Sequence, residues 1–211
     1  MYPVFTKLGQ YRFIPLLLVL GLLTACGSVP QKSGAPDQAG DNSVKREFAQ
    51  ALALMQANDM QAAAEKFHDL TARYPQMTGA WANLGRIHMK AGEWKQAQHA
   101  LQQAINLNPG HASAYNYLGV VLRNLGQFSE AEQAYKNAIS ADPTYALAWL
   151  NLGILYDIYL DKPAQALSQY EKYQQLKGNA DKKVAKWIIE IKRRIPKKAS
   201  TAPRSGDEYH V

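Results

Sequence analysis

The sequence predicts an all-α chain built from a repeated helical unit, and three observations carry that reading. The stretch Trp81 to Pro109, WANLGRIHMKAGEWKQAQHALQQAINLNP, returns 34 residues later as Tyr115 to Pro143. Within each copy, the positions of Trp81, Leu84 and His88, and of Tyr115, Leu118 and Leu122, follow helical spacing. Each copy also closes on a proline, in Asn108-Pro109 and Asp142-Pro143, and proline disfavours helical geometry in the residue before it. A fixed period in this range is the signature of a stacked repeat array.

An ungapped alignment places Trp81 over Tyr115, Leu84 over Leu118, Gly85 over Gly119, Gly92 over Gly126, Ala97 over Ala131, Leu101 over Tyr135 and Pro109 over Pro143. A third copy supplies Trp149, Leu152, Gly153 and Tyr156, gains one residue near Leu160 and Asp161, and resumes at Ala166 and Tyr170. A looser copy with Ala63, Phe67 and Pro75 stands in front. This pattern resembles the tetratricopeptide repeat family over roughly residues 44 to 178. The resemblance implies antiparallel helix pairs, about four of them, stacked into an α-solenoid. Gly85, Gly119 and Gly153 fall inside a helix despite costing about 1 kcal/mol relative to Ala, which points to a partner helix approaching closely there. The repeated aromatics, glycines and alanines therefore report packing rather than chemistry.

The remaining segments follow in order. Residues 1–25 carry Lys7 and Arg12, the apolar run Phe13 to Leu23, and Leu23-Thr24-Ala25 before Cys26, the one cysteine of the chain. Eleven apolar residues are too few to span a bilayer, so the segment reads as a secretory signal peptide. Leu-Thr-Ala-Cys resembles the lipobox of bacterial lipoproteins, which implies cleavage before Cys26 and lipidation of its sulfur. Several acyl chains on one residue make attachment lasting. The following Gly27 and Ser28, with no Asp beside the cysteine, are similar to the outer-membrane sorting pattern, so the expected address is the outer membrane, facing the periplasm. Residues 26–43 read as a flexible tether rich in Gly, Ser, Pro and Ala, about 20 to 25 Å from end to end. Val44 to Pro75 form the divergent first repeat, with Phe48, Leu52 and Met55 on one helix, Ala63, Phe67 and Leu70 on the next, and Asn58-Asp59 at the turn.

The insertion at Leu160 to Pro163 is expected to lengthen a turn, and Tyr173 and Gly178 stand where the family pattern has a small residue and a proline. Residues 179–196 hold Val184, Trp187, Ile188, Ile191 and Ile195 at helical spacing and read as a capping helix over the last repeat. Residues 197–211 read as a flexible basic tail. The formal charge of the chain is +7. Residues 182–211 contain nine Lys or Arg against three Asp or Glu, and residues 26–181 thirteen against fourteen, so the basic excess of the mature chain lies at its C-terminal end. That end is suited to anionic lipid, acidic cell-wall polymer or an acidic protein. The exported address disfavours nucleic acid.

No catalytic or metal-binding pattern is legible. His68, His88, His99, His111 and His210 lack motif spacing, no glycine-rich phosphate loop occurs, and Asp157 and Asp161 lack a cleft to work in. The reading is therefore a non-enzymatic protein without cofactor or metal. The family resemblance implies ligand binding in a concave groove lined by the first helix of each pair. Carried over by position, this gives Ala82, Arg86 and Met89, then Asn116, Val120 and Arg123, then Leu150, Ile154 and Asp157. That strip suits an apolar partner segment carrying an acidic residue, and the Lys/Asn set of carboxylate-clamp members is not reproduced. The resulting expectation is an outer-membrane-anchored periplasmic scaffold for a partner protein. In anchor and repeat type it is similar to the pilotin lipoproteins of type IV pili, which assist secretin assembly. An adaptor for peptidoglycan hydrolases or proteases is the alternative within that class. A cell-wall or anionic-lipid binding module acting through the tail is the alternative outside it.

Overall fold

In three of the helix pairs one glycine sets how closely the two helices meet, and Ala51 holds the same position in the first. The computed structural model describes residues 38–195, with side chains from residue 42 onward. The expected signal peptide, Cys26, most of the tether and the basic tail lie outside the described residues. Those described residues form α1 (Gln38–Gln56), α2 (Met60–Arg73), α3 (Thr78–Ala91), α4 (Trp94–Leu107), α5 (Ala112–Asn124), α6 (Phe128–Ala141), α7 (Ala146–Ile154) running into a π turn (Leu155–Tyr159), α8 (Pro163–Leu176) and α9 (Lys182–Arg194). α1 begins six residues before the expected Val44, inside the segment read as tether, where Ser43 bonds Glu47 one turn on. No strand occurs among the described residues.

A Cβ built on Gly85 would meet Leu101 Cγ at 2.6 Å, and one on Gly119 or Gly153 would meet the ring of Tyr135 or Tyr170 at 2.5 Å. Leu101, Tyr135 and Tyr170 are among the most completely buried side chains of the described core. Ala97, Ala131 and Ala166 are fully buried on the second helices, where a small side chain lets the neighbour close in. The turns between pairs are tied by side chains. Trp81 and Trp149 donate their indole N–H to the carbonyls of Pro75 and Pro143 at 2.9 and 3.0 Å. Asp142 accepts the Thr144 amide and hydroxyl at 2.8 and 2.7 Å.

The turn inside each pair closes in one way. The N–H of the residue before the second helix returns to a carbonyl in the last turn of the first: Glu93 to His88 at 2.9 Å, Gln127 to Leu122 at 2.9 Å and Lys162 to Tyr156 at 2.8 Å. A left-handed residue precedes it each time, Gly92 (φ 77), Gly126 (φ 76) and Asp161 (φ 46). The sequence suggested that the extra residue of the third copy lengthens the turn, and the closing bond from Lys162 to Tyr156 does span one residue more than its counterparts. The extra residue is taken up by widening the end of the first helix to π geometry, with the Leu160 amide bonded to the Leu155 carbonyl at 3.1 Å. Single π turns of this kind recur at functional sites.

α9 caps the array. Val184 and Ile191 are buried, Trp187 and Ile188 pack against the core, and the Trp187 and Tyr170 rings lie 5.5 Å apart. Two residues of α8 hold its start. Tyr173 donates its hydroxyl to Asp181 at 2.9 Å, and Gln174 both donates to the Asp181 carbonyl at 2.6 Å and accepts its amide at 3.2 Å. Asp181 in turn caps α9 by accepting the amides of Lys183 and Val184 at 2.9 and 3.1 Å. Tyr173, which departs from the family pattern, is thus part of the anchor for the cap.

Gly119→Ala gains helix propensity but drives a methyl into the buried Tyr135 ring, so overpacking dominates; the expected loss is about 1–3 kcal/mol, read as a lower urea midpoint at unchanged slope. Asp181 offers a pH test. The Val184 amide first, then the Tyr173 hydroxyl, holds its carboxyl below the usual range. Its contribution is therefore complete above the unfolded value of about 3.9 and is lost as pH falls through the lower folded value. Amide exchange at residues 184–191 should accelerate over that acid window, and Asp181→Ala should show the faster exchange already at neutral pH.

Candidate partner-binding groove

The first helices α3, α5 and α7 are packed on most of their circumference, and one stripe stays open on each. Ala80, Leu84, Gly85 and Ile87 are buried on α3, as are Ala114, Leu118, Gly119 and Val121 on α5 and Ala148, Leu152, Gly153 and Leu155 on α7 and the π turn. The open stripe runs at spacings of four, three and four: Gly79, Asn83, Arg86 and Lys90; Ser113, Tyr117, Val120 and Asn124; Leu147, Asn151, Ile154 and Ile158. Such a spacing is one face of a helix.

Against this frame the predicted strip divides. Arg86, Val120 and Ile154 lie in the open row, each half-buried. Ala82 and Asn116, expected at the groove surface, are instead buried, at 8% and 1% exposure. Asn116 accepts a hydrogen bond from Asn151 at 2.9 Å, so it joins successive repeats rather than facing a ligand. Met89 and Leu150 are half-buried and packed against the core. Asp157 is engaged within the chain: Arg194 donates to it at 2.6 Å and reaches Asp161 at 3.5 Å. α9 therefore closes this end of the strip, leaving a cavity of about 380 Å³ between the π turn and α9 walled by Ile154, Ile158, Tyr170 and Trp187. The row carried over from the family pattern sits one helix position toward the packed side. A stripe at 147, 151, 154 and 158 would have located the exposed Leu147 and Ile158, at 45% and 68% exposure.

The strip is polar along α3 and α5, through Asn83, Arg86, Lys90, Ser113, Tyr117 and Asn124. Arg86 Nε is buried and has no hydrogen-bond partner among the described residues; the same holds for Arg123 Nε and Nη1 and for the Tyr135 hydroxyl. Burial pushes the Tyr145 hydroxyl up to about 12, with Tyr117 adding to the rise and Asn116 and Arg86 opposing it, so Arg86 shares its surroundings with a small tyrosine cluster. The apolar part of the strip is Val120 on α5 and Leu147, Ile154 and Ile158 on α7 and the π turn, with Arg86 carrying charge at its α3 end.

Sequence spacing alone hid one convergence. His68, His88 and His99, from α2, α3 and α4, line a single crevice of about 470 Å³ with Trp81, Leu84 and Lys95. One repeat further on, a crevice of about 430 Å³ has Gln102, Tyr115, Leu122 and Gln133 in its wall. The crevice thus belongs to the packing of successive pairs, and the repeat register rather than any motif brings the histidines together. Among the described residues no group of three or more His, Cys, Asp or Glu is placed to hold a metal ion. Nor is any described helix long and apolar enough to cross a membrane.

Comparison with known proteins agrees with this architecture. The family model for the tetratricopeptide repeat matches residues 48–95, 83–146 and 121–180. No curated protein sequence matches significantly. Among solved structures, the crystal structure of MamA is 25% identical with a TM-score of 0.60, covering 67% of this chain and 82% of that one. TTC0263, a thermophilic TPR protein of Thermus thermophilus, is 21% identical with a TM-score of 0.61, covering 74% and 84%. PilF of Pseudomonas aeruginosa is 22% identical with a TM-score of 0.66, covering 74% and 70%. Repeat period, glycine-centred helix pairs and family match agree: the chain belongs to the tetratricopeptide repeat family.

Proposed function

We propose that this protein is an outer-membrane-anchored periplasmic scaffold that holds a segment of a partner protein in its concave groove, in the manner of the pilotin lipoproteins that its leader and repeats resemble. The observation that carries the reading is the open stripe itself. Leu147 and Ile158 stay exposed on the stripe that also carries the half-buried Val120 and Ile154 and, on α3, Arg86, in an array whose other large apolar side chains are mostly packed. An apolar surface with embedded, unpartnered cationic donors suits a partner segment that is apolar and acidic. The fold likeness to PilF fits the pilotin reading, and the same fold would serve the hydrolase-adaptor role. Binding of wall polymer or anionic lipid through the C-terminal end has less support. Two of the three basic residues in the last turn of α9 are occupied, Lys192 by Glu171 at 2.7 Å and Arg194 by Asp157.

Leu147→Asp combined with Ile158→Asp places two charges on exposed positions and should leave helicity and melting unchanged. Site-specific crosslinking in intact cells should then lose the groove partner by at least about tenfold, the scale of 1.4 kcal/mol or more in binding. Undiminished crosslinking would reject the groove. Truncation after Ile195 should leave the same crosslink in place, whereas wall or lipid binding would vanish with the tail. For the anchor, Cys26→Ala should move the protein from sedimented membranes to the soluble periplasmic fraction, and continued sedimentation would reject lipidation at that residue.

A further inference from the structure

The outer face of α9 carries a stripe that no part of the described array uses. Val184 and Ile191 point the other way and are buried, with Trp187 and Ile188 packed on the core. Opposite them, Lys182, Lys186, Ile189 and Arg193 follow one another at spacings of four, three and four, which places them on one side of the helix along about 16 Å. All four are exposed, Ile189 at 54%. The neighbouring cations are engaged: Lys183 lies over the Trp187 ring, Lys192 pairs with Glu171 and Arg194 with Asp157. Lys182, Lys186 and Arg193 have no ion pair or ring contact among the described residues, and Glu190, the one acid of α9, stands on the flank toward Arg194.

These charges work against the helix that bears them. An α-helix favours acid in its first turn, and this one has two lysines there and no acid. Lys182 and Lys186, four apart, add like-charge repulsion along the same face. A terminal cap does need a polar outer face. Charges of either sign would meet that need, and it does not explain Ile189. Local rules broken without local gain mark a surface kept for another purpose. Three free cations around one apolar side chain have their complement in a helix with carboxylates around one apolar side chain. A bilayer is a poorer match, because a helix lying in the interface buries a whole apolar face, and that of α9 is already packed on the core.

We propose that the outer face of α9 docks an acidic amphipathic helix of a partner protein, with its carboxylates on Lys182, Lys186 and Arg193 and an apolar side chain against Ile189. This surface is independent of the groove, which lies on the first helices. The cap then does more than close the array: it presents the end of the stack to a protein.

The test follows the Ile189 δ-methyl signal by NMR in the full chain with methyl-labelled isoleucine, assigned by its loss in Ile189→Val. The probe is a synthetic alanine-based helix carrying Glu, Glu, Leu and Glu at the spacing of the stripe. Its controls are the same peptide with Gln for Glu, and vesicles of phosphatidylglycerol in phosphatidylcholine. The Glu peptide should move the Ile189 signal saturably and leave those of Ile154 and Ile158 in place. Lys182→Glu with Lys186→Glu, both at exposed positions, should weaken that binding at least about tenfold and should take up the peptide with Lys for Glu instead. Uptake of the Lys peptide also shows that the reversed chain is folded. An equal response to the Gln peptide, an undiminished response in the charge-reversed chain, or no response would overturn the proposal, the last leaving the stripe a solubilising surface only. Movement of the signal by the vesicles as strong as that by the Glu peptide would also overturn it, making anionic lipid the occupant. A wrong groove reading shows in the Leu147 and Ile158 crosslinking with this titration intact, and a wrong reading of α9 shows the reverse.

Discussion

The architecture depends on the absence of a side chain at three positions. At Gly85, Gly119 and Gly153 the neighbouring helix presses Leu101, Tyr135 or Tyr170 into the space a Cβ would fill. That contact sets the separation within each pair, and the alanines at 97, 131 and 166 answer it from the second helix. Close pairing repeated at the same position leaves matching open rows on α3, α5 and α7. The long reach of a tyrosine at this contact has a further effect. In the pairs α5–α6 and α7–α8 the ring passes over the glycine and carries a hydroxyl toward the residue four positions later on the first helix, Arg123 or Asp157. Packing thereby delivers polar atoms beside the groove.

Much of the fold was legible because repeats announce themselves by period. The turns at Asn58-Asp59 and Asn108-Pro109, the helix pairs and the capping stripe of Val184, Trp187, Ile188 and Ile191 all followed from spacing and turn chemistry, whereas the left-handed turn role of Gly92 and Gly126 did not. The start of α1 did not, since residues 38–43 lack the apolar spacing that marks the rest of that helix. The inserted residue was visible as an extra position, yet whether a turn or a helix absorbs it depends on closing bonds between backbone atoms, which side-chain patterns do not encode.

The candidate site was legible only in part. Arg86, Val120 and Ile154 fall in the open first-helix row, while Ala82 and Asn116 proved buried and Leu147 and Ile158 were overlooked. A first helix in a stacked array is covered by its own partner and by both neighbouring pairs, so its free face is narrow, and an offset of one position exchanges surface for core. The gathering of His68, His88 and His99 likewise needed the register between pairs, because they stand on three different helices, α2, α3 and α4. Pairing of Asp157 with Arg194 joins residues 37 apart and depends on how α9 docks.

That docking also decides how the array can change length over evolutionary time. The lock made by Tyr173, Gln174 and Asp181 joins the last pair to α9 through side chains that the second and third pairs do not share. Duplicating a unit after the last pair would separate lock from key. A tandem copy of the segment from Thr78 to His111 would instead join seams already present between like neighbours. Elongation of this lineage is thereby channelled to the middle of the stack, with its terminus inherited as a unit.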